Sequence, residues 1–166
     1  MALKLRLAKS SDRQTLLRLM RQYYAFDGHR FIKRAASAAL SQFLADPSLG
    51  RAWLVFDQKP SHSAAVGYIV LTLGYSLEFH GRDAFLDEFF LLATHRRRGW
   101  GSQILAQVED AARGLGVQAI HLEAVRGNRG AQAFYRKAGY ALRTHHLLTK
   151  KLMRSKKKRS PKKKAQ

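Results

Sequence analysis

Thr94-His95-Arg96-Arg97-Arg98-Gly99-Trp100-Gly101-Ser102 joins an apolar run to an amphipathic segment. The run before it, Ala84 to Leu92, is aromatic-rich and nearly continuous, the pattern of a central strand. After it, Ile104, Leu105, Val108, Ala111, Ala112 and Leu115 recur at helical spacing, with Gln103, Gln107, Asp110 and Arg113 between them. Strand, short glycine-bearing turn and helix together aim several backbone N–H groups at one point. Glycine lets the main chain approach a ligand closely, and the first turn of a helix carries unpaired donors at its positive dipole end. The guest such a turn suits is anionic, most simply a phosphate. Three consecutive arginines add positive charge at the same spot.

Outward from this turn the chain alternates strand and helix patterns. Val117 to Val125 is the next strand, reached from the 102–115 helix through Gly114-Leu115-Gly116. Strand, helix, strand in this order makes a right-handed crossover and predicts parallel neighbours. Upstream, Arg51–Asp57 and Ala64–Leu73 read as an antiparallel hairpin, joined by the polar loop 58–63. Gly74 to Asp83 reads as a polar connection. Leu3, Leu5 and Leu7 alternate with Lys4 and Arg6 as a first strand with one buried face. Ser11 and Gln14 suggest a capping box opening a helix that buries Leu16, Leu17, Leu19, Met20 and Tyr23. Asp27-Gly28 breaks the pattern, and Ser37 to Ala45 reads as a short second helix stopped before Asp46-Pro47.

Size and composition bound the function. The 166 residues suffice for one domain with a sizeable core, expected over 1–152, followed by a basic tail over 153–166. No 18-residue apolar stretch exists, and the N-terminus lacks the apolar core of a signal peptide. The absence of cysteine excludes disulfides, thiolate metal sites and a Cys nucleophile, and fits a cytoplasmic protein. The histidines lack metal-ligand spacing with carboxylates, so no metal is expected, and His95 reads as a solvated loop residue. The formal charge is +20, of which residues 150–166 supply 10, leaving +10 on residues 1–149. Such a body suits a polyanionic ligand. The tail, Ser155 to Gln166, has no apolar periodicity and the composition of a nucleic-acid-binding arm, a localisation signal or an anionic-membrane anchor; it would give weak, salt-sensitive nucleic-acid affinity.

Arg96-x-x-Gly99-x-Gly101, after a strand and opening a helix, resembles the acetyl-coenzyme A signature of the GNAT superfamily of N-acetyltransferases. Asn128 to Tyr140 resembles that superfamily's N-x-x-A-x-x-F-Y-x-x-x-G-F/Y segment, a short helix with Gly139 as its stop. Within the superfamily, Phe85 to Leu105 is most similar to the diamine and polyamine (spermidine/spermine-type) acetyltransferases, which carry an acidic pair in this strand. The resemblance implies a mixed α/β sheet, mostly antiparallel with one splayed parallel pair, and helices on both faces. It also implies acetyl-CoA as cosubstrate and a small-molecule amine as acceptor. Residues 140–151 are shorter than many members' last two strands, which leaves their pairing, and any homodimer contact through them, open.

By that resemblance the backbone of Leu91, Leu92 and Ala93 meets the pantetheine arm and oxyanion. Arg96, Arg97, Arg98, Gly99, Trp100, Gly101 and Ser102 hold the pyrophosphate, and Asn128 contacts the coenzyme or caps its helix. Tyr135 falls where the family places a tyrosine near the sulfur, as the acid for the leaving thiolate. Asp87 and Glu88 recognise a cationic amine and remove its proton; Asp87 takes the position of the family's glutamate base and Glu88 that of its aspartate. Adjacent strand residues point to opposite faces, so only one is expected to face the cleft, and Glu88 has the longer reach. Tyr23, Tyr24 and Phe26 are candidate lining residues or core. Without a cysteine, direct attack of the amine on the thioester in a ternary complex is the economical route. The resemblance implies transfer to a primary amine (polyamine, other small cationic amine or lysine). A second class is a non-catalytic coenzyme A-binding module associated with nucleic acid through the tail.

Overall fold

The computed structural model describes residues 3–58 and 64–152. One five-stranded sheet runs in sequential order, β1 (Leu3–Leu7), β2 (Gly50–Asp57), β3 (Ala65–Ser76), β4 (Gly81–Leu91) and β5 (Val117–Leu122). The first four strands pair antiparallel, and β4 pairs with β5 in parallel. α1 (Arg13–Phe26) and α2 (Lys33–Ala45) cover one face; α3 (Trp100–Gly114) and the side chains of α4 (Arg129–Lys137) pack on the other. The expected mixed sheet, with its one parallel crossover pair, is thus present.

Because β3 is buried on both faces, its sequence runs apolar rather than alternating. Tyr68 and Val70 point to α1 and α2, among Leu16, Leu17, Leu19 and Leu40. Ile69 and Leu71 point the other way, onto Trp100, Ile104, Leu105 and Val108 of α3. The helical spacing of those last residues places them on one stripe of α3, all of them buried.

Several boundaries differ from the sequence reading. The stretch 74–83 is not a loose connection: β3 and β4 stay paired down to Ser76↔Gly81, because polar residues keep a ladder wherever both strands continue past the core. α2 begins four residues early, at Lys33, and β5 stops at Leu122. α1 is not entered through a Ser11 box. A 3-10 turn over Ser10–Asp12 precedes it, in which the Lys9 N–H donates to Asp12 Oδ2 at 2.8 Å, and Arg6 grips the same carboxylate at 2.8 and 2.9 Å. Residues 138–152 carry no strand, so the last-strand pairing that the resemblance left open is absent among the described residues. The tail over 153–166 lies outside them.

A register break in β4 matters most. Val70 pairs with Glu88 and the next residue, Leu71, with Leu86, so Asp87 is the extra residue of a β-bulge. Ahead of it Ala84 and Leu86 point to α3; beyond it Phe89 and Leu91 do, and Phe90 points to α1. One inserted residue has exchanged the two faces of the strand.

Candidate active site

The parallel pair opens into a gap. β4 and β5 pair from Arg82↔Val117 to Leu86↔Leu122, with one register shift after Arg82; there β5 ends while β4 runs on for five residues. On its other edge β4 remains bonded to β3, and the Leu92 N–H donates to the Val66 carbonyl at 2.9 Å. In an antiparallel ladder bonding residues alternate, so Phe90 and Leu92 face β3 while Phe89 and Leu91 turn their N–H and C=O into the gap. The Leu91 carbonyl there accepts a 2.7 Å bond from Arg96 Nε, consistent with that direction. The Leu92 N–H is therefore already bonded, and the Phe89 backbone, which sequence reasoning passed over, joins that of Leu91 on the open side.

At the end of the gap the chain turns into α3. Arg97 (φ 58°) and Gly99 (φ 76°) both adopt left-handed backbone on either side of Arg98. Gly99 is the N-cap of α3, and its position admits other residues only with strain. Successive amides in such a turn converge as an anion cradle, and the first turn of α3 leaves further N–H groups unpaired. Gly101 is needed for space: a Cβ there would sit 3.2 Å from the Phe134 ring of α4. Ser102, Arg97, Arg98 and Gly99 are exposed around the turn.

Two residues of this stretch direct their side chains elsewhere. Trp100 is buried (2% exposed), its indole in the α3-side core, so only its N–H is at the turn. The Arg96 guanidinium lies over the Phe26 ring at 4.2 Å and the Phe90 ring at 5.3 Å, lashing the turn to the end of α1, and burial lowers its pKa. His95 is not solvated. It is buried beside Trp100, its Nε2 3.5 Å from Asp57 Oδ2 and its Nδ1 2.9 Å from Thr94 Oγ1. An imidazole pinned between β2 and the α3 entry holds the turn in place from beneath.

α4 closes the other flank. Asn128 caps it, its side chain accepting from the Ala131 N–H at 3.0 Å, while Gln132 Nε2 bonds the Val125 and Arg126 carbonyls. Gly139 (φ 93°) ends it in a Schellman motif: its N–H bonds Arg136 O and the Tyr140 N–H bonds Tyr135 O, both at 3.0 Å. That fixes Tyr135 between Phe134 (4.9 Å between centroids) and Tyr140 (5.7 Å). Burial pushes the Tyr135 phenol up to about 12, so it stays protonated at neutral pH.

The bulge overturns the expectation that only one acid faces the cleft. Glu88, 8% exposed, lies on the α1 side and accepts from the Tyr68 hydroxyl at 2.6 Å; the nearby Tyr24 phenol of α1 also favours its charged form. Asp87 reaches solvent, yet its charge is felt by Glu88 and by both Tyr23 and Tyr24. Desolvation raises both carboxyls above their usual range, opposed at Glu88 by the two phenols and reinforced there by Asp87. Tyr23 also feels the Tyr135 phenol of α4 electrostatically. Tyr23, Tyr24 and Phe31 stack edge to face on the α1 side, at 5.8 Å and 5.6 Å. Tyr23 and Tyr24 are each half-buried, and Tyr23 packs against the α1-side core.

The geometry thus brings together a glycine-bearing turn at a helix start, an open strand edge beside it, and two carboxyls with phenolic neighbours. The family model for acetyltransferases of the GNAT family matches residues 15–140. The chain belongs to the GNAT acetyltransferase family. This GNAT protein is 34% identical to the integron cassette protein HFX_CASS3 from the mobile metagenome of Cole Harbour salt marsh, with a TM-score of 0.79 over 90% of this chain and 91% of that one. It shares the fold of a possible acetyltransferase from Clostridium difficile 630 (TM-score 0.78, 13% identity, 93% and 100% covered) and of the aminoglycoside N-acetyltransferase AAC(6')-Iy solved with CoA (TM-score 0.73, 17% identity, 92% and 96% covered). Over 71 residues it is 31% identical to the uncharacterized N-acetyltransferase YycN of Bacillus subtilis (strain 168). That stretch covers 43% of this chain and 45% of YycN, so the match spans under half of that curated relative. Among the described residues no group of three or more His, Asp or Glu could hold a metal ion, and no helix is long and apolar enough to cross a membrane.

Proposed function

We propose that this GNAT protein is an acetyl-CoA-dependent N-acetyltransferase for a small cationic primary amine, of the diamine or polyamine kind. The bulge at Asp87 carries this reading: it brings two carboxylates onto an aromatic wall beside the open edge of β4. Acetyl-CoA fits the rest. The amides at Gly99–Ser102, with Arg97 and Arg98 around them, hold its pyrophosphate. The backbone of Phe89 and Leu91 receives the pantetheine arm and carbonyl, and Asn128 serves first as a cap.

The recess divides the work. An alkyl ammonium has a pKa near ~10.4, so it arrives charged and must lose a proton before it attacks. Glu88 is held by the Tyr68 hydroxyl and supplies fixed negative charge. Asp87, exposed on the bulge and with no ion-pair partner among the described residues, accepts the proton directly or through one water; its raised pKa brings it nearer to a useful base. The neutral amine then attacks the thioester carbonyl to form the C–N bond, and the oxyanion meets the strand-edge N–H groups; as the C–S bond breaks, the nitrogen's second proton passes to the departing thiolate, which leaves toward Tyr135. A phenol near 12 lies about 3.5 log units above a free thiol (~8.5). Tyr135 therefore stabilises the thiolate chiefly as a hydrogen-bond donor, and complete proton transfer is uphill.

Thiol release from acetyl-CoA, measured across diamines, polyamines, monoamines, amino acids, aminoglycosides and lysine peptides, tests the assignment. Turnover led by di- and polyamines supports it. Turnover confined to peptides or aminoglycosides overturns the acceptor class, and no thiol release with any amine overturns the transfer.

A further inference from the structure

Tyr68 stands at the middle of a central strand and is fully buried (0% exposed). A phenol there must find an acceptor or leave a polar group unsatisfied. Its partner is Glu88 Oε2 at 2.6 Å, diagonally across the β3–β4 ladder, where Tyr68 pairs with Phe90 and Val70 with Glu88. Glu88 is almost as deeply buried, and no Lys, Arg or His pairs with it among the described residues. The groups that face it are Tyr23 and Tyr24 from α1, Tyr68 from β3 and Asp87 from its own strand. A buried carboxylate in this setting has only O–H donors to offset its lost water.

We propose that Tyr68 is a positioning residue: its hydroxyl fixes Oε2 of Glu88 and keeps that carboxyl ionised, so a standing negative charge awaits the cationic acceptor. This extends the transfer reading, on which only its kinetic consequence rests. The clamp itself is a property of the folded chain.

The test is Tyr68→Phe, which deletes one oxygen and keeps the ring. Glu88 is harder to ionise in the fold than in the unfolded chain. Its ionisation therefore costs stability, absent at low pH and fully present once pH exceeds the folded pKa. Removing a donor to the charged form raises that pKa further. The melting temperature of Tyr68→Phe should thus fall increasingly below wild type between pH 4.5 and 8.5, measured on the full chain without substrate. In a Glu88→Gln background the pH dependence of this gap should disappear. In the kinetic arm the acid limb of kcat/KM should move up by about one pH unit, a tenfold loss on the limb, the usual size for a bond to a charged group. A gap constant with pH, or one unchanged in Glu88→Gln, reduces Tyr68 to packing and overturns the proposal. Should Tyr68→Phe not fold, Tyr24→Phe, at the half-buried phenol that also favours charged Glu88, must show the same widening gap in smaller measure, and a flat gap there overturns it equally. If wild type releases no thiol, the transfer reading fails while the stability arm still decides the clamp.

Discussion

Gly101→Ala tests whether the phosphate turn and Tyr135 are mechanically joined. A methyl at this position would lie 3.2 Å from Phe134 Cε2 and 3.3 Å from Cζ, so the ring must yield by a few tenths of an ångström. Phe134 cannot yield freely. It packs on Phe89 of β4 at 6.3 Å and edge-on to Tyr135 at 4.9 Å. The strain passes to Tyr135, whose hydroxyl must meet the sulfur at hydrogen-bond distance. The effects on stability oppose each other. Alanine favours a helix over glycine by roughly 0.5–1 kcal/mol, while mild overpacking costs about 1–3 kcal/mol. The fold should survive with a net loss of at most about 2 kcal/mol. The amides of the turn are untouched, so coenzyme affinity should stay within about threefold, whereas kcat should drop about tenfold, since misplacement by 1 Å can cost ~100-fold. Steady-state thiol release gives kcat, calorimetry with CoA gives affinity, and thermal melting gives stability. A wild-type kcat, or a loss of affinity exceeding the loss of kcat, would refute the coupling.

Other substitutions separate the roles within the recess. Tyr135→Phe should lower kcat tenfold or more at unchanged CoA affinity, one general-acid or thiolate-stabilising contribution; unchanged turnover removes Tyr135 from the chemistry. Asp87→Asn should cost about a hundredfold or more in kcat, with the residual rate climbing toward the amine's own pKa near ~10.4, because the acceptor must then deprotonate unaided. Glu88→Gln should instead act mainly on the KM of the amine. Reversal of these two patterns, with Glu88→Gln losing kcat, would exchange base and anchor. In the wild type the acid limb of kcat/KM should lie above the ordinary carboxylate range, since desolvation raises both acids; a limb near pH 4 contradicts that.

The turn at 94–102 was legible because its cues are local: an apolar strand, two glycines and a helical stripe fix strand, turn and helix without tertiary information. The Asn128 cap and the Gly139 stop were legible for the same reason. The bulge was not. Nothing in Phe85-Leu86-Asp87-Glu88-Phe89 marks which residue is extra, and simple alternation sends the two acids to opposite faces. Burial of His95 was hidden as well, since its partner Asp57 comes from β2, 38 positions earlier in the chain. Tyr68 carried a faint signal, one phenol in an otherwise aliphatic stretch from Ala65 to Val70, but its partner is set by a register that sequence does not display. The exchange of Leu92 for Phe89 on the open edge has the same origin: ladder parity decides which amides are free.

Calorimetric titration of the full chain with CoA, alongside Gly99→Val, tests the central claim most directly. The account predicts saturable one-to-one binding by wild type, weakened with salt as a pyrophosphate contact requires. It predicts at least tenfold weaker binding when valine is forced into the left-handed backbone at Gly99 (φ 76°). Absence of saturable binding, or equal affinity in the two proteins, would contradict it.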